Sequence, residues 1–221
     1  MSEILFSIFG VGGCGRSIMP QARRQLTDAK TPKASLVFID DDEAYSGQVI
    51  NGHNVLSYEN FLSKSASEKY VAIAVANGTT REEIALRCEN DGVRPWSLFS
   101  ENVVQMDNVE IGVGAILSPF VTLTSNITIG NHFHANLYSY VEHDCVVGNY
   151  VTFGPGVKCN GNVHIGDYAY IGSGAVIKQG APHKPLRIGE GAVIGMGAVV
   201  TKDVPPGETL IGNPARISKG V

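Results

Sequence analysis

From Ile111 onward, every sixth residue is apolar without a gap: Ile111, Leu117, Leu123, Ile129, Ala135, Val141, Val147, Phe153, Cys159, Ile165, Ile171 and Ile177. The residue two positions before each is apolar or compact as well, from Val109 and Ala115 through Ser139 and Cys145 to Ala169 and Ala175. Helices repeat at 3.6 and single strands at 2; a gapless hexad is the signature of a parallel β-helix whose flat faces each use one hexad. Three hexads close a turn, and the Ile/Val-Gly pairs at 111/112, 129/130, 147/148 and 165/166 recur every eighteen residues. This register dictates which side chains point inward, and therefore which histidines can do chemistry.

After Ile177 the next interior position would be 183, yet His183 stands there, within Gln179-Gly-Ala-Pro-His-Lys-Pro-Leu-Arg187. The pattern resumes at Ile188-Gly189, Ile194-Gly195 and Val200. The intervening stretch, with two prolines and a glycine, reads as a loop pushed out of one corner that shifts the phase by five residues. In a solenoid such loops carry function, because the coils themselves only stack. Periodicity leaves the hand of the coil open.

The first hundred residues have another character. Ile4-Leu-Phe-Ser-Ile-Phe9 reads as a buried strand running into Gly10-Val-Gly12-Gly13-Cys14-Gly15, which contains G-x-G-x-x-G. An amphipathic stretch follows (Ile18, Met19, Ala22, Leu26), then a second strand, Ser35–Ile39, ending in Asp40-Asp41-Asp42. A third strand, Val71–Val75, leads to Asn77-Gly78 and a helix start where Thr79 with Glu82, or Thr80 with Glu83, would form a capping box. This βαβ order predicts a small Rossmann-like parallel sheet over residues 1–102, ahead of the β-helix over 103–221. Glycines after the first strand let backbone amides approach a diphosphate at a helix N-terminus, and Asp40 is placed to accept from a ribose hydroxyl. The alternative is a tight turn whose glycines only ease helix packing. Only about one βαβαβ half fits before the repeats, which favours a mononucleotide-type ligand over a dinucleotide.

Composition bounds the rest. With 43% hydrophobic and 17% charged residues and a net charge of −4, the chain has no basic stripe for nucleic acid. No apolar run approaches a membrane span. The start, Met1-Ser-Glu-Ile, lacks the basic region and cleavage site of a secretory signal, and four cysteines without paired spacing fit a reducing compartment, so the expected location is cytoplasmic. Cys145 and Cys159 fall on interior positions and read as core thiols.

Within the coil, His143 lies between interior Val141 and interior Cys145 and cannot point inward. A corner histidine is ordinarily just solvated, but Asp144 beside it could fix the imidazole tautomer and raise its basicity. Eighteen residues on lies Gly161, which would keep space open beside His143 and expose an amide to a developing oxyanion. His132 and His164 also fall outside the coil, His53 and His183 sit in turn-like contexts, and Lys202 near the coil end could meet phosphates.

A short nucleotide-binding domain followed by a hexad coil resembles, over essentially the whole chain, the sugar acetyltransferases that modify nucleotide-linked amino sugars. The most specific stretches are Tyr140-Val-Glu-His-Asp-Cys-Val-Val-Gly148, Lys158-Cys-Asn-Gly-Asn-Val163, Gly195-Met-Gly-Ala-Val-Val-Thr-Lys-Asp203 and Gly212-Asn-Pro-Ala-Arg216. From His134 to Arg216 the chain is similar to the perosamine N-acetyltransferases, which act on a GDP-linked 4-amino-4,6-dideoxy sugar. The bacillosamine-pathway acetyltransferases, with a UDP-linked 4-amino sugar, share the architecture.

The resemblance implies a left-handed parallel β-helix, a homotrimer with sites at subunit boundaries, acetyl-CoA between neighbouring coils, and a place in surface polysaccharide (O-antigen) synthesis. It also implies His143 as base, Asp144 as its tuning acid, Gly161 as the thioester-facing amide, and Ser173 and Met196 as amide contacts to the pantetheine arm. Thr152 stands where bacillosamine-type enzymes have a second histidine near the acetyl group, and His134, eighteen residues earlier, would partly replace it. Cys14 occupies a common histidine position and Ala76 replaces a glycine before Asn77. The expected nucleotide-sugar contacts are Gly12, Gly13, Cys14, Asp40, Asp41, Asn77 and His134; those to acetyl-CoA are Thr152, Gly161, Ser173, Met196 and Lys202. No metal is required.

The expected reaction is acetyl transfer to the 4-amino group, with GDP-perosamine as the favoured acceptor and UDP- or dTDP-linked 4-amino sugars as alternatives. A zinc-dependent carbonic anhydrase on the same coil would need three convergent histidines. A non-catalytic nucleotide-binding trimer would explain the glycine-rich loop but not the His-Asp pair. Phe120 and Tyr138, apolar and exterior, are the expected subunit-interface contacts.

Overall fold

A computed structural model describes residues 3–29 and 33–218. The chain-start reading at Met1 and Ser2 falls outside the described residues. The chain divides into two compact units, one made of residues 1–76 and 80–98, the other of 77–79 and 99–221.

In the first unit, β1 (Ile4–Phe9) leads into α1 (Gly13–Asp28), and β2 (Ala34–Ile39) is followed by a hairpin of β3 (Val49–Ile50) and β4 (His53–Leu56). Then come α2 (Tyr58–Ser63), β5 (Glu68–Ile73), α3 (Gly78–Asn90) and β6 (Arg94–Pro95). The sheet order is β3-β4-β2-β1-β5-β6, with β1 central and parallel to both β2 and β5. Central β1 is apolar at both faces, so five of its six residues are buried, as a strand covered on both sides requires. The β3–β4 hairpin turns at Asn51-Gly52, both at positive φ (50° and 81°), the conformation an Asn-Gly hairpin turn demands. The helix after β5 begins at Gly78, so Thr79 and Thr80 lie inside its first turn rather than capping it.

The second unit is a parallel β-helix. Its strands, two or three residues long, stack into three sheets in which each strand pairs in parallel with the one a full turn away, except that the last, Arg216–Ile217, folds back antiparallel on Thr209–Ile211. The register runs Ile116↔His134↔Thr152↔Tyr170 on one sheet, Thr122↔Tyr140↔Lys158↔Val176 on the second and Val146↔His164 on the third, each step eighteen residues. Across the loop the step becomes twenty-three, as in Tyr170↔Val193 and Ile177↔Val200, the predicted shift of five. Every expected interior position from Leu117 to Ile177 is buried, and so is each position two before it from Ala115 onward. Burying one Ile, Val or Phe side chain contributes roughly 1.5–3 kcal/mol, so the continuous column holds the coil together. Cys145 and Cys159 are core thiols, 1% and 0% exposed. The first coil strand is Leu98–Phe99, ahead of the expected start at 103, because Phe99 lies one turn before Leu117.

A second six-residue period accompanies the first. The residue three before each interior position sits in the left-handed region, from Asn108 and Gly114 through Asn126, His132 and Asp144 to Tyr168 and Gly174. These are the corners. Non-glycine residues there pay a steric cost of about 1 kcal/mol each. The ladders they form with the next turn offset it: His132 stacks on Tyr150 and Tyr150 on Tyr168, at 5.1 and 5.7 Å between ring centres.

Candidate active site

His143 lies two residues past the strand Tyr140–Val141, and Asp144 is the left-handed corner residue, with φ 58°. Aspartate tolerates that conformation better than most residues, because its short side chain bonds locally. The corner swings the carboxylate alongside the imidazole: His143 Nδ1 donates to Asp144 Oδ2 at 2.7 Å. The other oxygen, Oδ1, accepts from Asn126 Nδ2 at 3.3 Å, and Asn126 Oδ1 in turn accepts from Asn108 Nδ2 at 3.2 Å. Asn126, one turn before Asp144 on the same corner, was missed in the sequence; counting back eighteen from Asp144 would have found it.

With Nδ1 committed to the carboxylate, Nε2 carries the lone pair. It faces Gly161: a Cβ built on that glycine would stand 2.6 Å from both Cε1 and Nε2. Gly161 therefore makes room for the ring itself, a tighter role than the open space expected from sequence. The loop holds this segment in place, since Gly180 N–H donates to Gly161 O at 3.0 Å and Leu186 N–H to Asn162 O at 3.1 Å. Between them Ala181 and Lys184 pair as a tight hairpin with Pro182 and His183 at its tip.

The hydrogen bond that His143 donates to Asp144 raises the His143 pKa above the usual imidazole value, the small desolvation acting against it and the nearby charges of Asp144 and Glu142 adding to it. Asp144 is lowered in return, mainly by the same bond. A base must be neutral, so activity falls as pH drops through the raised pKa. Asp144→Asn is expected to move that acid limb of the pH–rate profile to lower pH, with a milder loss of kcat than removal of His143 itself. An unmoved limb would detach Asp144 from the imidazole.

The remaining expected residues are spread over the coil. Lys202 follows Val199–Val200 and lies further along the corner that carries His143 and Gly161. Ser173 and Met196 are exposed, Met196 by 82%, but follow Tyr170–Ile171 and Val193–Ile194, on the neighbouring corner one hexad away. Gly154 and Gly172 permit close approach there, a Cβ on either lying 2.7 Å from the Ser173 or Met196 amide nitrogen. His134 and Thr152 are strand partners, as the register predicted, but each is only 6% exposed. Pointing outward from the coil is not the same as reaching solvent. His132, also outside the coil, is buried by its stack. Among the described residues no group of three or more His, Cys, Asp and Glu side chains is arranged to hold a metal ion.

In the first unit Gly15 is the close-packing glycine, since a Cβ there would lie 1.8 Å from Gly10 O. Gly12 and Gly13 have nothing within 4 Å of that position and leave the helix start open. Asp40 is already engaged: Oδ2 accepts from Val11 N–H at 2.9 Å and Oδ1 from Asp42 N–H at 3.0 Å. It therefore shapes the glycine-rich loop, with lone pairs left for a further donor. Asp41 pairs with Arg87 at 2.8 Å, whose guanidinium lies over Tyr58 at 4.4 Å. Asn77 is exposed after β5. Cys14 is half-buried, and burial pushes its thiol pKa up while Arg81 pulls it down. Arg81, fully buried, donates to Val75 O at 2.6 Å and Ala76 O at 3.1 Å, and so holds the segment before Asn77. Nothing in the sequence singled out Arg81 from the other polar residues of its helix.

No model of a known protein family matches the chain. It is 51% identical over 182 residues, 82% of its length and 81% of the relative's, to a GDP-perosamine N-acetyltransferase from Escherichia coli O157:H7. Among solved structures it resembles WeeI from Acinetobacter baumannii AYE, with 55% identity, 97% and 100% of the two chains covered and a TM-score of 0.93. It also resembles the acetyltransferase domain of PglB from Neisseria gonorrhoeae FA1090 in complex with acetyl coenzyme A, with 26% identity, 98% and 100% covered and a TM-score of 0.83. A hexad coil with a His-Asp corner pair, in a chain this close to a named relative over four-fifths of both lengths, belongs to the GDP-perosamine N-acetyltransferase family of nucleotide-sugar N-acetyltransferases.

Proposed function

We propose that this chain transfers the acetyl group of acetyl-CoA to the C4 amine of GDP-perosamine, in the supply of N-acetylated sugar for surface polysaccharide. The observation that carries this reading is the His143–Asp144 pair with Nε2 turned over Gly161, in a chain 51% identical to a relative of that name. His143 Nε2 takes a proton from the amine as its nitrogen attacks the thioester carbonyl. Asp144 holds the imidazole in the Nδ1–H tautomer and stabilises the imidazolium. The Gly161 amide stabilises the tetrahedral oxyanion. As the intermediate collapses the C–S bond breaks, and His143 returns its proton to the leaving CoA thiolate, giving the amide and free CoA.

We assign the nucleotide to the first unit, whose β1–α1–β2 order and parallel sheet support a Rossmann-like reading, and we take the coil to be left-handed, as the family resemblance implies. Gly12 and Gly13 offer open amides at the start of α1 for the diphosphate. Gly13→Val is expected to raise KM for the nucleotide sugar by about ten- to a hundredfold and to leave KM for acetyl-CoA nearly unchanged. Equal effects on both would move the diphosphate elsewhere.

The working unit in this reading is a homotrimer. Within one chain His143, Gly161 and Lys202 share a corner, whereas Ser173 and Met196 occupy the next. A cofactor arm that touches both sets is satisfied when a second subunit presents its Ser173–Met196 corner to the first subunit's His143 corner. Incubation with acetyl-CoA and GDP-, UDP- and dTDP-linked 4-amino sugars, read by thiol release, tests the reaction. Release with the GDP sugar is expected, and none with any of the three would overturn the proposal. Sedimentation of a monomer at micromolar concentration would overturn the trimer.

A further inference from the structure

We infer that Asn126 is a positioning residue for the transfer: from one turn back along the coil it holds the Asp144 carboxylate against His143. This rests on His143 acting as the base of the reaction proposed above, and goes on to say what keeps its partner acid in place. Four residues occupy that corner on successive turns, Asn108, Asn126, Asp144 and Asn162, all left-handed with φ of 55°, 58°, 58° and 56°. Asparagine and aspartate both suit that conformation, since each has a short polar side chain that bonds locally. Backbone geometry alone therefore gives no reason to prefer one over the other. Of the four, only the residue beside His143 is an acid, and the asparagine one turn before it supplies that acid with a donor.

The chain of side-chain bonds has a direction. An ionised carboxylate only accepts, so Asn126 must turn its NH2 group toward Asp144, and Nδ2 donates to Oδ1 at 3.3 Å. Asn126 Oδ1 then faces back, where Asn108 Nδ2 donates to it at 3.2 Å. The two amides line up head to tail with their donor ends toward Asp144, and bonds polarised in series strengthen one another. The Asp144 side chain is 48% exposed, so packing does not fix its carboxylate. Two donors do: His143 Nδ1 on one oxygen and Asn126 Nδ2 on the other. Held only by His143, the carboxylate could turn toward water, and the imidazole would lose the partner that sets its tautomer. Both bonds leave their mark on the acid, whose pKa is lowered chiefly by His143 and further by Asn126. Among the described residues the groups whose charge acts on the imidazole are Asp144, Glu142 and Cys145, so Asn126 reaches His143 through Asp144. The fold does not depend on the Asn126 side chain. Backbone bonds carry the corner, from Asn126 N–H to Asp107 O at 3.0 Å, Ile127 N–H to Asn108 O at 3.1 Å and Asp144 N–H to Ser125 O at 3.1 Å.

Two substitutions test this while keeping the corner, since glycine and aspartate both accept a left-handed backbone and should leave the melting temperature near that of wild type. Asn126→Gly removes the donor. Its kcat is expected to fall about three- to tenfold, the fold-change of one hydrogen bond of ordinary net strength, with KM for both substrates within about twofold of wild type. Asn126→Asp sets a second carboxylate against Asp144 Oδ1. The added negative charge favours the imidazolium, so the His143 pKa should rise in an NMR titration of the imidazole, and the acid limb of the pH–rate profile should move to higher pH. In an Asp144→Gly background, Asn126→Gly should change kcat by less than about twofold, because a residue that acts through Asp144 has nothing left to act on. A kcat for Asn126→Gly equal to that of wild type, a loss that persists in full without Asp144, or an unshifted imidazole in Asn126→Asp overturns the inference. The imidazole titration is read without turnover, so it can fail while wild type transfers acetyl, and can succeed where wild type transfers none.

Discussion

Replacing His143 with alanine is expected to lower kcat by about 10²–10⁴, the usual contribution of a positioned general base. The geometry makes the residue hard to replace. Its Nδ1 is tied to Asp144 at 2.7 Å, leaving Nε2 as the nitrogen that can take the amine proton. The side chain is 55% exposed, so its removal opens no cavity and the melting temperature should stay close to that of wild type. KM for acetyl-CoA should survive, because the base acts on the acceptor amine. A variant with near wild-type turnover would remove His143 from the mechanism.

The second large effect is expected from Gly161→Ala, a single methyl group. Its Cβ would lie 2.6 Å from Cε1 and Nε2 of His143 and 3.1 Å from Cδ2, so the ring has to leave its position. Because the imidazole is half-exposed it can swing into solvent, and the fold pays little. Catalysis pays more: displacing a reacting group by about 1 Å costs on the order of 10² in rate. The expected result is therefore a loss of kcat of that order with a nearly unchanged melting temperature. The His143 pKa should fall back toward its ordinary range as the bond to Asp144 is lost, which NMR titration of the imidazole would read. Retained turnover with an unshifted imidazole would show that the ring and an alanine at 161 fit side by side, and that Gly161 serves only its amide.

Much of this site was legible because a solenoid converts sequence distance into spatial distance at a constant rate. Eighteen residues is one turn, so the partnership of His143 with Gly161, and of His134 with Thr152, followed from counting. Counting fails wherever the answer depends on the side of the coil rather than the turn. His134 and Thr152 belong to an outward column, yet outward did not mean accessible. The N-terminal unit was less readable. Its first strand was placed from Ile4 to Phe9, whereas the third was expected at Val71–Val75 and runs Glu68–Ile73. The charged residues that open it, Glu68 and Lys69, carry no strand signature. Asp40 was recognised as the acid after β2, but its two bonds to the Val11 and Asp42 amides depend on how the loops fold back.

The sequence by itself determined the coil, its interior columns, the five-residue step of the inserted loop and the neighbourhood of His143. All of these follow from one apolar period and the requirement that apolar faces be buried. What only the tertiary structure decided is the state of the polar groups. It sets Asp144 in a left-handed corner with one oxygen on His143 and the other on Asn126, buries Arg81 against two carbonyls, and leaves the buried Thr124 Oγ1 without a hydrogen-bond partner among the described residues. Hydrogen bonds are directional and short-ranged, so which donor meets which acceptor is set by corner angles and side-chain placement that a six-residue period does not encode.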